Sequence, residues 1–299
     1  MEKIIIIGAG PAGISAALYA VRGNMNPLVI NNGIGALEKA EKIENYYGLE
    51  HPLSGKELFD TGLEQAKTLG VRILDAEVLG VGGFDTFTVK TTEGEFETQS
   101  LILATGSRRA APKIPGVKEF EGRGVSYCAI CDAFFYRGKD VAVLGNGDFA
   151  MHEAKELANT ASTVTIFTNG EEPEFVPEDN IGVNTVKIQS VEGEDLVSGI
   201  RLAPDVQAQE ANSEENDFCP ADGIFIAMGT AGSTEIARQM GAELTEKGNI
   251  KVNENMETTI PGLYAAGDCT GGLLQVAKAV YEGAQAGINA GKYVRSLKS

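Results

Sequence analysis

The sequence predicts an α/β protein, on three observations. A short apolar strand runs into a glycine-rich turn and a helix near the start, the same pattern returns near residue 145, and each copy is closed by an apolar strand ending in a small residue and glycine. With 299 residues, 43% of them hydrophobic and 22% charged, the chain has room for two ordinary domains, so the repeat reads as two Rossmann-like, three-layer units.

Lys3 to Ile7 is apolar and β-branched, Gly8-Ala9-Gly10-Pro11-Ala12-Gly13 follows, and Ile14 to Arg22 reads as helix. Glycines in that context permit a tight turn and let the backbone approach a pyrophosphate lying on the positive end of the helix. The second copy is Asp140 to Leu144, then Gly145-Asn146-Gly147-Asp148-Phe149-Ala150, then a helical run from Met151 to Asn159. Leu101-Ile102-Leu103-Ala104-Thr105-Gly106 closes the first unit as Ile224-Phe225-Ile226-Ala227-Met228-Gly229 closes the second. A last strand, Gly262 to Ala266, meets Gly267-Asp268 and a helix from about Leu274. The Asp268 carboxylate, at a strand end beside a helix start, suits a ligand's hydroxyl groups.

Composition removes several classes of function. No apolar run approaches the roughly 20 residues a membrane span needs, and Ile4 to Ile7 leads into the glycine turn instead of a cleavage site; a soluble cytoplasmic protein without membrane partners is expected. The net charge of -17 carries no basic stripe against it, which argues against nucleic acid. Residues 1–140 hold 15 Lys and Arg against 18 Asp and Glu, so most of the acidity follows residue 140.

Four cysteines are too few for a disulfide scaffold, but Cys128-Ala129-Ile130-Cys131 is a CxxC pair with Asp132 directly after it. Zinc would need a second pair at matching spacing, whereas Cys219 and Cys269 are isolated and His51 and His152 form no ligand pattern; no metal is expected. A dithiol at a helix start, where backbone N–H groups lower a thiol pKa, suits thiol–disulfide exchange. The other assignment is two buried small hydrophobes with Asp132 as a helix cap. Cys219, Cys269 and both histidines read as structural or surface residues.

Gly8 to Gly13, Ala104-Thr105-Gly106, Cys128 to Asp132 and Ala266-Gly267-Asp268, in this order and spacing, resemble the low-molecular-weight thioredoxin reductases along nearly the whole chain. The resemblance implies an FAD domain made of residues 1–114 and 246–299, with 115–245 inserted as the domain that normally takes NADPH. It implies FAD contacts from Gly8, Gly10, Pro11, Ala12, Gly13, Asn45, Ala104, Thr105, Gly106, Gly267, Asp268, Gln275, Val276 and Ala277. The family's Arg-Gln-Ala reads Gln275-Val276-Ala277 here. By the same resemblance Cys131 takes electrons from the flavin, Cys128 attacks thioredoxin, Asp132 serves as acid and base, and the protein is a homodimer.

The second nucleotide site departs from the family. Asp148 stands at its helix start, where a carboxylate competes with a pyrophosphate for the same N–H groups. After Thr163 to Ile166 the chain reads Phe167-Thr168-Asn169 in place of the His-Arg-Arg run that grips the extra phosphate, and Glu171, Glu172, Glu174, Glu178 and Asp179 follow. NADPH is therefore not expected. The chain resembles the pyridine-nucleotide-independent branch, the ferredoxin-dependent flavin thioredoxin reductases, which implies ferredoxin as electron donor; a flavin can take electrons singly and pass on two. Ferredoxins are usually acidic, and the stretch from Arg108 to Lys139 supplies a local excess of cations through Arg108, Arg109, Lys113, Lys118, Arg123, Arg137 and Lys139, which otherwise read as a solvated linker. Alternatives are an NADH-dependent enzyme, a flavin dithiol oxidase using oxygen, and a flavin-bound redox sensor. Pro112, Pro115, Gly116 and Gly248 mark expected hinges near 112–116 and 243–248.

Overall fold

The computed structural model describes residues 1–83, 85–106, 113–127, 129–204, 217–228 and 232–297, with the side chains of Ile130 and Cys131 excepted. The chain forms two compact units, one made of Met1–Arg109 with Gly232–Ser299 and the other of Ala110–Ala231.

The first unit opens with β1 (Glu2–Ile7), α1 (Pro11–Arg22) and β2 (Leu28–Asn31), continues through α2 (Gly55–Thr68) and β3 (Arg72–Asp75), and adds β4 (Val78–Gly82), β5 (Phe87–Thr91) and β6 (Gly94–Leu103). Ile4, Ile5 and Ile6 are fully buried, as expected for a central strand covered on both faces. The chain then enters the second unit with β7 (Val125–Ser126), α3 (Ala129–Asp132), β8 (Asp140–Leu144), α4 (Asp148–Ala158), β9 (Thr163–Phe167) and β10 (Gly182–Asn184). The antiparallel strands β11 (Ile188–Gly193), β12 (Val197–Leu202) and β13 (Phe218–Pro220) precede β14 (Gly223–Ile226). The return to the first unit brings α5 (Ser233–Gln239), β15 (Leu263–Ala265) and the long α6 (Val276–Ser296).

Among the described residues, β3, β2, β1, β6 and β15 pair in parallel, with β5 and β4 added antiparallel to the outer half of β6. The second unit repeats the arrangement as β10, β9, β8, β14 and β7, all parallel. β1 thus corresponds to β8, β2 to β9 and β6 to β14, so the duplication visible in the motifs is a duplication of strand order. The fold is α/β with two Rossmann-like units.

Small residues let α6 lie against α1: a Cβ on Gly283 would come within 2.1 Å of the Ala12 carbonyl oxygen, and one on Gly287 within 2.2 Å of that of Ala16. The Ser15 hydroxyl donates to the Val280 carbonyl at 2.7 Å in the same seam. The two helices therefore lie side by side, with Gly283 of α6 level with the first turn of α1.

The unit boundaries differ from the sequence expectation. They fall at 109/110 and 231/232 instead of 114/115 and 245/246, and Pro112 lies outside the described residues. The second boundary moves because α5 belongs to the first unit. The Ser233 N–H donates to the Thr105 hydroxyl oxygen at 2.8 Å, and the Ser233 hydroxyl accepts from the Thr105 N–H at 3.1 Å, a tie between residues far apart in sequence. Helix starts also move: α1 begins at Pro11 and α4 at Asp148, each three residues before the position expected from the onset of apolar periodicity. Pro at a first helical position has no N–H to lose and a φ already suited to helix, so the glycine turn and first helical turn overlap. At the other end α6 begins at Val276, two residues after the expected Leu274.

Candidate functional site

In the first unit the β1 turn and the end of β6 meet closely. Gly8 adopts φ 107°, a conformation that other residues avoid, and a Cβ there would sit 2.4 Å from the Ala104 carbonyl oxygen. A Cβ on Gly13 would sit 1.8 Å from the Gly8 carbonyl oxygen, so the first turn of α1 is seated on the glycine loop. Gly10 is different, since a Cβ there meets nothing within 4 Å. It is also the N-cap of α1, with no side chain capping the helix and Pro11 following it. An open, uncapped helix start fringed by glycine is a site for a phosphate-bearing ligand.

The remaining sequence-expected residues surround that mouth in part. Gly267 comes against Ala12, where an added Cβ would be 2.9 Å from the Ala12 Cβ. Asp268 starts a short 3-10 helix, and burial raises its pKa from the ordinary value while Lys278 opposes the rise. The Asn45 amide donates to the Gln275 side-chain oxygen at 3.1 Å, which joins two residues from opposite ends of the chain. Gln275 is the N-cap of α6, Val276 and Ala277 are its first two residues, and Gln275 and Ala277 are exposed. Gly106, at φ 89°, is the last described residue before the chain leaves this unit.

Two residues here were missed by sequence reading. The Lys278 ammonium donates to the Gly267 carbonyl at 2.7 Å, the Thr270 hydroxyl at 2.8 Å and the Gly271 carbonyl at 2.6 Å, and pairs with Glu282 at 2.9 Å. Glu282 in turn accepts the Gly267 N–H at 2.8 Å. This pair, four residues apart on one face of α6, clamps the loop that presents Asp268. The spacing was legible; its target was not. The described residues of this unit fit a flavin dinucleotide: glycine turn and α1 start for the pyrophosphate, Asp268 for polar groups, and Asn45, Gln275 and the α6 start on the remaining side.

The second unit repeats the backbone and changes what surrounds it. A Cβ on Gly145 would lie 2.2 Å from the Ala227 carbonyl oxygen, and Gly147, the N-cap of α4, has open space like Gly10. Exposed Asp148 is the first residue of α4, an acidic group at the positive end of the helix. The acidic segment after β9 is tied to the turn and to α4: the Glu174 N–H donates to the Asn146 carbonyl at 2.7 Å, and Glu178 pairs with Lys155 of α4 at 2.6 Å. Asn169, at φ 55°, spends its side-chain oxygen on the Ile188 N–H at 2.9 Å, so it is committed to the start of β11.

The dithiol segment lies in the same unit. Cys128 is outside the described residues, Cys131 is the third residue of α3, and Asp132 is its last. Asp132 makes no helix-capping bond; its carboxylate accepts from the Ser126 hydroxyl at 2.6 Å instead. The peptide N–H of Ala129 donates at 2.7 Å to the carboxylate of Glu153, a residue of α4 only 1% exposed, and burial pushes the Glu153 pKa up to about 7. Directly after α3, Phe134 and Phe135 are 72% and 68% exposed, with the Arg137 guanidinium 5.6 Å over the Phe134 ring. Two adjacent exposed phenylalanines close in sequence to the CxxC pair form an apolar contact surface, and the Phe-Phe pair between Asp132 and Arg137 was the signal available in the sequence.

Of the expected basic stretch, Arg108 and Arg109 lie outside the described residues, while Lys113, Lys118, Arg123, Arg137 and Lys139 are exposed. Arg123 donates to the Glu119 carbonyl at 2.7 Å, and Lys139 stands 5.5 Å over the Tyr136 ring. Cys269 is 1% exposed, its thiol pKa pushed up to about 12 by burial, and burial also raises Cys219, which holds both as thiols. Among the described residues no group of three or more His, Cys, Asp or Glu could hold a metal ion, and no helix is long and apolar enough to cross a membrane.

Residues 2–283 match the family model described as pyridine nucleotide-disulphide oxidoreductase. A thioredoxin reductase of Aquifex aeolicus is 37% identical over 280 residues, which cover 89% of this chain and 84% of that protein. The crystal structure of the atypical thioredoxin reductase TRi from Desulfovibrio vulgaris Hildenborough superposes with a TM-score of 0.89 at 38% identity, covering 99% of each chain. A ferredoxin-flavin thioredoxin reductase from Clostridium acetobutylicum superposes with a TM-score of 0.71 at 31% identity, covering 98% of each.

Proposed function

We propose, from the premise that this chain belongs to the pyridine nucleotide-disulphide oxidoreductase family and is a flavin-dependent disulfide oxidoreductase of the thioredoxin reductase type, that it reduces thioredoxin with electrons from ferredoxin and not from NADPH. The observation that carries the donor assignment is the acidic segment tethered to the second glycine turn, with the Glu174 N–H on the Asn146 carbonyl. A nucleotide pyrophosphate on the α4 start would meet Asp148 and this segment together. The segment between β9 and β10 holds no arginine to offset them, and Asn169 is already bonded to Ile188. Likeness to a ferredoxin-flavin enzyme supports the same reading.

FAD, when bound, supplies the ability to accept electrons one at a time and release them as a pair. Gly8, Gly10, Pro11, Ala12 and Gly13 with the α1 start receive its pyrophosphate, Ala104, Thr105 and Gly106 close over the turn, and Gly267 and Asp268, held by Lys278, bind its polar groups. Asn45, Gln275, Val276 and Ala277 line the remaining side. Cys131 accepts the electron pair, Cys128 attacks the thioredoxin disulfide, and Asp132, aligned by the Ser126 hydroxyl, gives and takes the proton of the departing thiolate. Phe134, Phe135 and Arg137 offer the thioredoxin-docking surface next to the dithiol, and Lys113, Lys118, Arg123 and Lys139 steer the acidic donor. We take the enzyme to act in the cytoplasm as a homodimer, with residues 110–231 as a dithiol-bearing unit that has lost its nucleotide. Mixing the protein anaerobically with oxidised thioredoxin and each of reduced ferredoxin, NADH and NADPH tests the reading by counting thioredoxin thiols formed. Turnover with NADPH at the rate seen with ferredoxin would remove it.

A further inference from the structure

Glu153 is a charged side chain where the fold has no ordinary use for one. It lies on the apolar stripe of α4, one turn from Phe149 and one from Leu157, both buried, and is itself only 1% exposed. One carboxylate oxygen takes the Ala129 N–H at 2.7 Å, and the other is buried without a hydrogen-bond partner among the described residues. Leaving a buried carboxylate oxygen unpaired costs free energy unless the group carries a proton for part of its working life.

The bond it does make is to the dithiol segment. Ala129 follows Cys128 in the chain, and its N–H is one of the amides at the start of α3 that would otherwise be free to stabilise a thiolate. Other titratable groups around Glu153 supply no rescue. On its own helix stand Asp148, His152, Lys155 and Glu156; Lys155 is paired with Glu178, and Glu156 raises the Glu153 pKa further. On α3 and the turn after it are Cys131, Asp132 bonded to Ser126, and Tyr136. β8 contributes Asp140, which accepts from the Thr163 hydroxyl, and β9 carries no charged residue. Among the described residues only the Ala129 N–H favours the ionised form.

We propose that Glu153 is a positioning residue of the dithiol, a buried carboxyl that holds the peptide N–H beside Cys128 and takes up a proton when the Cys128–Cys131 disulfide is reduced. The inference rests on the reading of that pair as the working dithiol. In the step, the disulfide gains the two electrons that the flavin supplies and the S–S bond breaks. One sulfur takes a proton from solvent and the other remains a thiolate, while the Glu153 carboxylate takes a second proton from solvent, so that its own charge does not add to that of the thiolate on the segment whose Ala129 N–H it holds. An ionised Glu153 accordingly opposes thiolate formation, and a neutral one permits it.

The test compares the reduced protein with Glu153→Gln, which keeps a side-chain oxygen for the Ala129 N–H and removes the charge. Iodoacetamide labelling of Cys128, followed by mass spectrometry across the neutral pH range, reports thiolate content. The unmodified protein should show a two-step profile with one step near neutral pH, and the variant a single step with labelling about threefold or more faster above it. Superimposable profiles would overturn the proposal. If the variant does not retain flavin, the unmodified protein still decides: its reduced-minus-oxidised infrared spectrum should gain the carbonyl band of a buried carboxylic acid, and no gain would overturn the proposal. Failure of both proteins to label at Cys128 after reduction would instead remove the dithiol reading, and this inference with it.

Discussion

Gly10 and Gly13 stand three residues apart in one turn, yet the structure assigns them different jobs, and alanine at each separates fold from cofactor. A Cβ at position 13 would lie 1.8 Å from the Gly8 carbonyl oxygen, about 1.2 Å inside the closest approach a real Cβ makes, and its neighbour is backbone that cannot rotate away. Overpacking of that kind costs about 1–3 kcal/mol, and a rigid neighbour puts Gly13→Ala at about 3 kcal/mol in the flavin-free protein. At position 10 the Cβ meets nothing within 4 Å, and φ -69° with ψ -177° suits alanine, so Gly10→Ala costs the flavin-free protein no more than about 1 kcal/mol as an N-cap change. The same methyl projects into the space assigned to the pyrophosphate, and a loss of about 1.4 kcal/mol or more in binding is a tenfold or greater rise in the FAD Kd. Urea unfolding of flavin-free protein and titration with FAD by quenching of flavin fluorescence measure the two quantities separately. A Gly10→Ala protein that binds FAD as tightly as the parent would refute the placement of the cofactor on this turn.

Lys278→Met removes three hydrogen bonds and one ion pair from the Gly267–Gly271 loop and leaves half-buried Glu282 unpaired; the expected loss is about 3 kcal/mol of stability with release of FAD on gel filtration. Replacing exposed Phe134 and Phe135 by alanine should change stability by less than about 0.5 kcal/mol each while raising the KM for thioredoxin, with flavin reduction by the donor unchanged. The raised Glu153 pKa has a sign for stability as well. Between its ordinary value of 4.5 and about 7 the folded state keeps a proton that the unfolded chain has released, so this contribution is fully present below 4.5 and lost as pH rises through about 7. That interval bounds the loss at roughly 3 kcal/mol, and Glu153→Gln should flatten the stability–pH curve across it by that amount in chemical denaturation.

Much of the fold was legible because glycine turns announce themselves: only glycine serves at φ 107° beside a carbonyl oxygen 2.4 Å from its missing Cβ, and Gly8 was read as such a position. The boundaries were less legible. A helix read from its first apolar residue begins at Ile14, whereas the chain enters helix at Pro11, before periodicity can register. The second unit boundary was misplaced because Ser233 is tied to Thr105, and no local pattern reports a hydrogen bond between residues so distant. Asn45 and Gln275 meet, but only family resemblance suggested it, since nothing in either neighbourhood names the other. Glu153 was readable and passed over. It falls on the same stripe as Phe149 and Leu157, and a charge on an apolar stripe marks a residue with a reason to be buried. The acidic run after β9 was read as repelling a phosphate, and the structure adds how it is held near the turn, by the Asn146 carbonyl and by Lys155.

Anaerobic stopped-flow of the oxidised protein against each donor addresses the electron donor without thioredoxin or turnover. Loss of the flavin absorbance on mixing with reduced ferredoxin, and its persistence on mixing with excess NADPH, is the result expected from Asp148 at the α4 start and the Glu174 segment tethered to the second turn. Rapid bleaching of the flavin by NADPH would contradict it.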